Sequence, residues 1–238
     1  MERINFKHSV IFFNICILIS PLYFLLNFEP IILCLFLILI LGISHGALDN
    51  IKGKKLLKLF GYKSIIIFYI IYILISLLII IFWLIFPNIV LFIFLIVAAY
   101  HFGKEDTIFS FNRNFMISEC LFFLKGSSVI ITPLLLQREA TNEIFKILNF
   151  NIFESTVFSD QFLIILLFLS FLSSLYISNK KNTDIKGIMI MDFLSLLILN
   201  FFLTPILAFT LYFCFLHSIR HSITLIFELD KSFKLGIK

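Results

Sequence analysis

Charged side chains are scarce in this sequence: they account for 14% of its 238 residues, whereas 61% are apolar. The mean hydropathy is +1.10. Such a balance lies far above that of soluble domains and argues against a water-soluble fold. Paired cysteine spacings are absent as well. The four cysteines stand singly in apolar runs, which argues against a disulfide framework and against a thiolate metal site.

The first apolar run has no small-residue cleavage site after it, and many further runs follow. We therefore interpret it as a membrane span and not as a secretory signal. The chain also has no internal repeat, no low-complexity linker and no composition break that would mark a second domain. It is expected to form a single transmembrane domain over residues 1–238.

Apolar runs of membrane-crossing length recur along the whole chain. A helix needs about 20 residues to cross roughly 30 Å of hydrocarbon. Residues 187–228 are about twice that length, which favours two spans that meet at Pro205. If these residues formed one span, the total number of spans would be seven. The prediction is an all-α polytopic bundle of about eight spans: 9–28, 31–49, 64–86, 88–106, 115–136, 161–178, 187–203 and 206–228.

Basic residues in the connections predict the orientation. With eight spans, fifteen lysines and arginines fall on one side of the membrane, and only Arg138 and Lys146 fall on the other. Lysine and arginine concentrate on the cytoplasmic side of membrane proteins. We therefore expect a multi-pass protein of the cell's cytoplasmic (inner) membrane with both termini in the cytoplasm.

Four of the five histidines lie at one predicted depth. His8 is near the N-terminal interface and is predicted to be a solvated surface residue. His45, His101, and the pair His217 and His221 lie towards the inner ends of spans two, four and eight, which all run inward. A spacing of four places the last two on one helix face. The four imidazoles are therefore predicted to converge on one cytoplasmic-side metal site, although each alone could be a packing residue.

The ligand type leaves the metal open, because imidazole suits zinc, copper, iron and nickel. Two stacked hemes would need histidines at two depths, and a di-iron oxygenase normally draws on about twice as many histidines. An intramembrane zinc protease would need His-Glu-x-x-His, and this string does not occur. A mononuclear non-heme site fits best.

Two carboxylates follow the single histidines closely. Asp49 lies four residues after His45, and Asp106 lies five after His101. A carboxylate one turn from a ligand histidine can accept its second ring N–H and fix its tautomer. The alternative is that each aspartate simply ends its helix at the interface. A glycine directly follows each of these histidines, where it could permit close approach of another helix or a substrate; a helix kink at the membrane edge is the alternative.

Two basic residues, Lys125 and Arg220, lie inside predicted spans. Charged groups at membrane depth are costly and usually face the interior of the bundle. Their partners could be Asp49, Asp106 or Asp192, or their long side chains could reach the inner headgroups.

Four short strings occur in order along the chain: His-Gly-Ala-x-Asp at 45–49, His-Phe-Gly-x-x-Asp at 101–106, Lys-Gly at 125–126 with the later Pro133, and His-x-x-Arg-His at 217–221. Together they resemble the Brp/Blh family of bacterial and archaeal membrane proteins, carotenoid-cleaving enzymes that make retinal. The departures from the family pattern are Lys125, where arginine is expected, and Ser44 and Ser218, where proline is common.

The resemblance implies an Fe(II)-dependent β-carotene 15,15′-dioxygenase that uses O2 and releases two molecules of all-trans-retinal. His45, His101, His217 and His221 would be the iron ligands, with no catalytic side chain beyond the metal centre. An opsin would be a natural receiver of retinal, and no nucleic acid partner is expected. Two other interpretations stay open: an oxygenase of another carotenoid or bond, and a non-catalytic carrier of a metal, heme or carotenoid.

A hydrocarbon substrate offers no group for acid–base chemistry, so the protein would contribute orientation and an apolar tunnel. Tyr100, Phe102, Phe213 and Phe215 are candidates to line it. In so aromatic a chain, ordinary packing is the alternative for each of them.

Overall fold

The computed structural model describes residues 2–26, 30–46, 49–62, 64–107, 115–151, 158–179 and 183–230. The side chains of residues 42–46 and 49–52, which include His45 and Asp49, lie outside the described part. No strand occurs in these ranges, and nearly all of the described backbone is helical. The predicted all-α fold is confirmed.

The helices follow one another with short connections. The helix after Pro205 contains one stretch of wider π-helical turns, which we name the π segment. In chain order the elements are α1 (Glu2–Leu26), α2 (Ile31–Gly46), α3 (Asp49–Leu59), α4 (Ile65–Ile85), α5 (Pro87–Glu105), α6 (Phe115–Leu136), α7 (Arg138–Ile147), α8 (Asp160–Asn179), α9 (Thr183–Phe202), α10 (Pro205–Leu211), the π segment (Tyr212–Ser218) and α11 (Ile219–Asp230).

Seven stretches of the described chain are long and apolar enough to cross a membrane, and they match seven of the predicted spans. The last of them, Pro205–Thr224, combines α10, the π segment and the start of α11; we call it the last span. The predicted break before Pro205 is confirmed, since α9 ends at Phe202. The remaining predicted span corresponds to α2, whose 16 residues make it shorter than these seven stretches.

Two helices occupy segments that were predicted as connections. The lysine-rich stretch after the second span forms α3, and the acidic loop after the fifth span begins with α7. In α7, Glu139 lies in the first turn and Lys146 in the last, an order that suits the helix dipole. Arg138 contacts Asp160 at 2.5 Å, which ties α7 to the start of α8.

Helix α4 lies at the periphery of the bundle. None of its residues is buried, and it packs on α3 and α5. Its side chains are almost all apolar, so they suit contact with lipid hydrocarbon. The core lies instead between α1, α5, α6, α8, α9 and the last span.

Two facing glycines let α5 and α6 approach backbone to backbone. A Cβ atom added at Gly103 would lie 1.8 Å from the carbonyl oxygen of Phe122, and one added at Gly126 would lie 1.8 Å from that of Ala99. Such distances are possible only without side chains, as in other close helix pairs in membranes. The glycine after His101 therefore serves helix approach, one of its two predicted roles.

Gly126→Ala is expected to destabilise the protein by about 1–3 kcal/mol or more, because the added methyl overlaps backbone atoms that cannot rotate away. Thermal unfolding in detergent measures the effect. Gly187→Ala is the control, since the added Cβ would meet mainly the ring of Phe6, at 2.9 Å. Equal losses of stability in the two variants would contradict the close packing of α5 on α6.

Candidate metal centre

His217 lies in the π segment and is fully buried. Its Nδ1 is 2.9 Å from Oδ1 of Asp106, and the hydroxyl of Tyr212 donates to Oδ2 of the same carboxylate at 2.7 Å. An ionised carboxylate only accepts hydrogen bonds, so Nδ1 carries the proton. This tautomer leaves the lone pair on Nε2, the atom that could bind a metal.

His221, one turn further along the last span, has the same arrangement. Its Nδ1 is 2.9 Å from Oε2 of Glu105, the last residue of α5. Glu105 and Asp106 are consecutive, so the end of one helix holds two histidines of another. Histidines that bind metals typically donate their second ring nitrogen to a carboxylate in this way.

These contacts differ in part from the predicted ones. Asp106 was predicted to hold His101, but it holds His217 across the bundle. Glu105 was not singled out, although it lies four residues, about one helical turn, after His101. Pairing across helices depends on how each helix is rotated, and spacing within one helix does not determine that rotation. The signal available in the sequence was the presence of two adjacent carboxylates at the end of a histidine-bearing span.

His101 packs against His217. Their ring centroids are 5.3 Å apart, and the rings meet edge to face. The described structure therefore brings three of the predicted ligands, His101, His217 and His221, to one end of α5 and the last span. In the described part of the chain, no three histidine, cysteine or carboxylate side chains form a group placed to share one ion.

The predictions for His45 and Asp49 concern side chains outside the described part. The backbone of His45 lies in the last turn of α2, and Asp49 begins α3. Helix α2 packs on α10 and on the π segment, which carries His217. The ligand role of His45 and the supporting role of Asp49 stay predictions.

Arg220 pairs with one of its three predicted partners, Asp192. The guanidinium is fully buried and contacts both oxygens of Asp192, at 2.5 and 3.1 Å. It also donates to the hydroxyl of Ser9 at 2.7 Å, and that hydroxyl donates to Asp192 at 2.9 Å. This three-residue network joins α1, α9 and α11 beside the histidines. The buried ion pair with Asp192 therefore accounts for the charge of Arg220 inside the bundle.

The prediction of a solvated His8 is wrong. The side chain is half-buried, and its Nε2 is 2.7 Å from the backbone oxygen of Phe215 in the π segment. A carbonyl oxygen only accepts, so His8 is the donor. The interfacial position in the sequence suggested solvent, but the start of α1 packs against the last span.

An apolar cavity of about 350 Å³ lies beside the histidines. Phe102 lines it, and the ring centroid of Phe102 is also 4.8 Å from that of His217. One side chain therefore separates the cavity from the buried imidazole. The other lining residues come from α2, α5, α6, α7, α9 and α10, and include Ala98, Pro133, Ile144 and Phe209.

Of the four predicted tunnel residues, only Phe102 lines this cavity. Tyr100 instead donates its hydroxyl to Glu119. Phe213 stacks on His217 with ring centroids 5.9 Å apart, and Phe215 is 40% exposed. For these three, packing or surface contact is what the structure describes.

The fold and the site define a polytopic helical membrane protein in which carboxylates orient buried histidines next to an apolar cavity. The chain belongs to the β-carotene 15,15′-dioxygenase family, whose sequence model matches residues 36–236. That match extends from α2 beyond the end of α11 and includes all four predicted ligands. No match was found among curated proteins or among solved structures.

Proposed function

We propose that this protein is a membrane-embedded Fe(II)-dependent dioxygenase that cleaves the central double bond of β-carotene with O2 and yields two molecules of all-trans-retinal. Membership of the family carries the proposal. The carboxylate-held histidines and the adjoining apolar cavity support it, since they are the features that such a reaction requires of the protein.

His45, His101, His217 and His221 would hold the iron. The described donors fit this role, because neutral imidazoles suit iron and because Glu105 and Asp106 fix the tautomers of His221 and His217. When bound, iron would supply the redox chemistry with O2 that protein side chains lack. The part of the protein is then to hold each imidazole in one orientation.

The apolar cavity suits one half of a carotenoid. Its lining is almost entirely hydrocarbon and aromatic, so a hydrocarbon chain enters it without desolvating polar groups. Phe102 borders both the cavity and His217, and it would place the middle of a long polyene next to the histidines. The same packing keeps water away from the reacting bond.

The proposed reaction is balanced without a further reductant. One carbon–carbon double bond and the oxygen–oxygen bond break, and two aldehyde carbonyls form. Each oxygen atom ends in one molecule of product.

We place the protein in the cytoplasmic membrane with both termini in the cytoplasm, which the basic connections support. An opsin in the same membrane is the proposed receiver of retinal.

Expression of the protein in carotene-producing cells tests the activity. The orange colour is expected to fade while retinal accumulates, and cells that express His217→Ala should stay orange. Metal analysis of the purified protein is made in parallel. Persistent colour without retinal, despite a folded and iron-loaded protein, would falsify the proposal.

Two outcomes of the same experiment would favour the other interpretations. A carrier would return carotene unchanged when the purified protein is incubated under air. Cleavage at another bond would give products of unequal length, which chromatography separates from retinal. Either result would contradict central cleavage, and the family match makes neither the expected one.

A further inference from the structure

Lys125 is a mostly buried residue whose amine makes no hydrogen bond or ion pair within the described part of the chain. The residue is only 8% exposed, and its hydrogen bonds in the described structure are made by its backbone oxygen, which accepts from Ser128 at 2.7 Å and from Ser170 at 3.0 Å. A buried ammonium that lacks hydrogen bonds is costly. Its surroundings should therefore contain a group that satisfies it.

Lys125 borders a small chamber of about 30 Å³ between α5, α6, α8, α9 and the π segment, whose lining combines polar and apolar side chains. Asp106, Asp192, Ser174 and Tyr212 are among the other polar side chains that line it. A water needs about 10–15 Å³ and two to four polar partners. The chamber satisfies both conditions, and its size limits the occupant to one or two waters.

The two carboxylates of the chamber belong to the two networks described above. Asp106 holds His217, and Asp192 holds Arg220. Each oxygen of Asp106 accepts one described hydrogen bond, and a carboxylate offers about four acceptor positions. Acceptor capacity is therefore left on Asp106 for a donor inside the chamber.

We propose that this chamber binds water that links the amine of Lys125 to Asp106 and Asp192, and that Lys125 is thereby a positioning residue for His217. The link joins the Arg220 network to the histidine site through one buried cation. The water site does not depend on the reaction proposed above, whereas the effect on iron binding rests on that proposed function.

The proposed role follows from charge compensation. Asp106 is 4% exposed, and the described donors to its carboxylate are Tyr212 and His217. A buried carboxylate is stable only when cations or hydrogen bonds compensate its charge. Without the Lys125 amine, Asp106 would be held less firmly and would orient His217 less firmly.

Two substitutions separate this role from simple packing. Lys125→Met keeps most of the length of the side chain and removes its charge and donors. Lys125→Arg keeps the charge, and its longer planar guanidinium would fill the chamber and reach the carboxylates without water. Lys186→Met, at an exposed lysine near the start of α9, is the matched control.

Iron retention is measured after exposure to a chelator, together with the absorption bands of the Co(II)-substituted protein. Lys125→Met is expected to weaken iron binding about 10–100-fold, as for other residues that support ligand histidines, and to shift the Co(II) bands. Lys125→Arg and Lys186→Met should retain both properties. Wild-type retention by Lys125→Met, or no rescue by Lys125→Arg, would overturn the positioning role.

A crystal structure of the wild-type protein tests the water directly, even if Lys125→Met fails to fold. We expect water density that lies within 3.2 Å of the Lys125 Nζ and reaches both Asp106 and Asp192, and none in Lys125→Arg. A dry chamber would overturn the proposal. Should the wild type bind no iron while the water is present, the proposed function fails and the water site stands.

Discussion

Replacement of His217 by alanine is expected to abolish both iron retention and carotene cleavage. The imidazole is fully buried and fixed by Asp106, so its loss removes a ligand that is held in one orientation away from solvent. Alanine at His45, His101 or His221 should have the same effect, because each loss opens the proposed coordination sphere. The measurements are iron per protein after purification, and retinal formed per protein.

His8→Ala is the matched control for the four variants. It removes a histidine from the same end of the bundle, and with it one hydrogen bond to the π segment. The expected cost is about 1 kcal/mol of stability with iron retained. Full activity in any one of the four site variants would show that the four-ligand site is wrong.

Removal of Arg220 is expected to cause a larger loss of stability than removal of any other single charged side chain. Arg220→Met would leave Asp192 buried with only the hydroxyl of Ser9 as a described partner. Breaking a buried ion pair in this way costs about 3–5 kcal/mol. Thermal unfolding of the iron-free protein in detergent measures this cost separately from any effect on the metal.

The double variant Arg220→Met, Asp192→Leu makes the prediction specific. With both charges gone, no unpaired ion stays behind, so the double variant should be more stable than Arg220→Met alone. Lys104→Met is the control at an ion pair that is partly exposed, with Glu119 at 3.5 Å, where the expected loss is below about 1 kcal/mol. If the double variant were the least stable of the three, the pairing of Arg220 with Asp192 would be refuted.

The spans and the class of fold could be predicted because hydropathy and proline breaks are local properties. The meeting of His101 with His217 could also be anticipated, since topology places them at one end of the bundle. The histidine that each carboxylate contacts could not be predicted, because Glu105 reaches His221 only through the rotation of α5 against the last span. Spacing along one helix carries no information about that rotation.

Two further predictions were wrong for similar physical reasons. Helix α7 was predicted as loop because its charges obscured a helix of ten residues. His8 was assigned to solvent because its place near the chain start suggested an interface, whereas α1 packs along α9 and the π segment. Both depend on tertiary contacts that come from distant parts of the sequence.

The π segment has a consequence for how insertions and deletions act on this protein. A π bulge amounts to one extra residue in an α-helix, and each residue turns a helix by about 100°. The extra residue lets α10 present Phe209 to the cavity while α11 presents Arg220 and His221 to their carboxylates. Deletion of a single residue from Tyr212–Ser218 would therefore act as a compound mutation, since it would turn the functional face of α11 away from α5 and α9 while every side chain of α11 stayed unchanged.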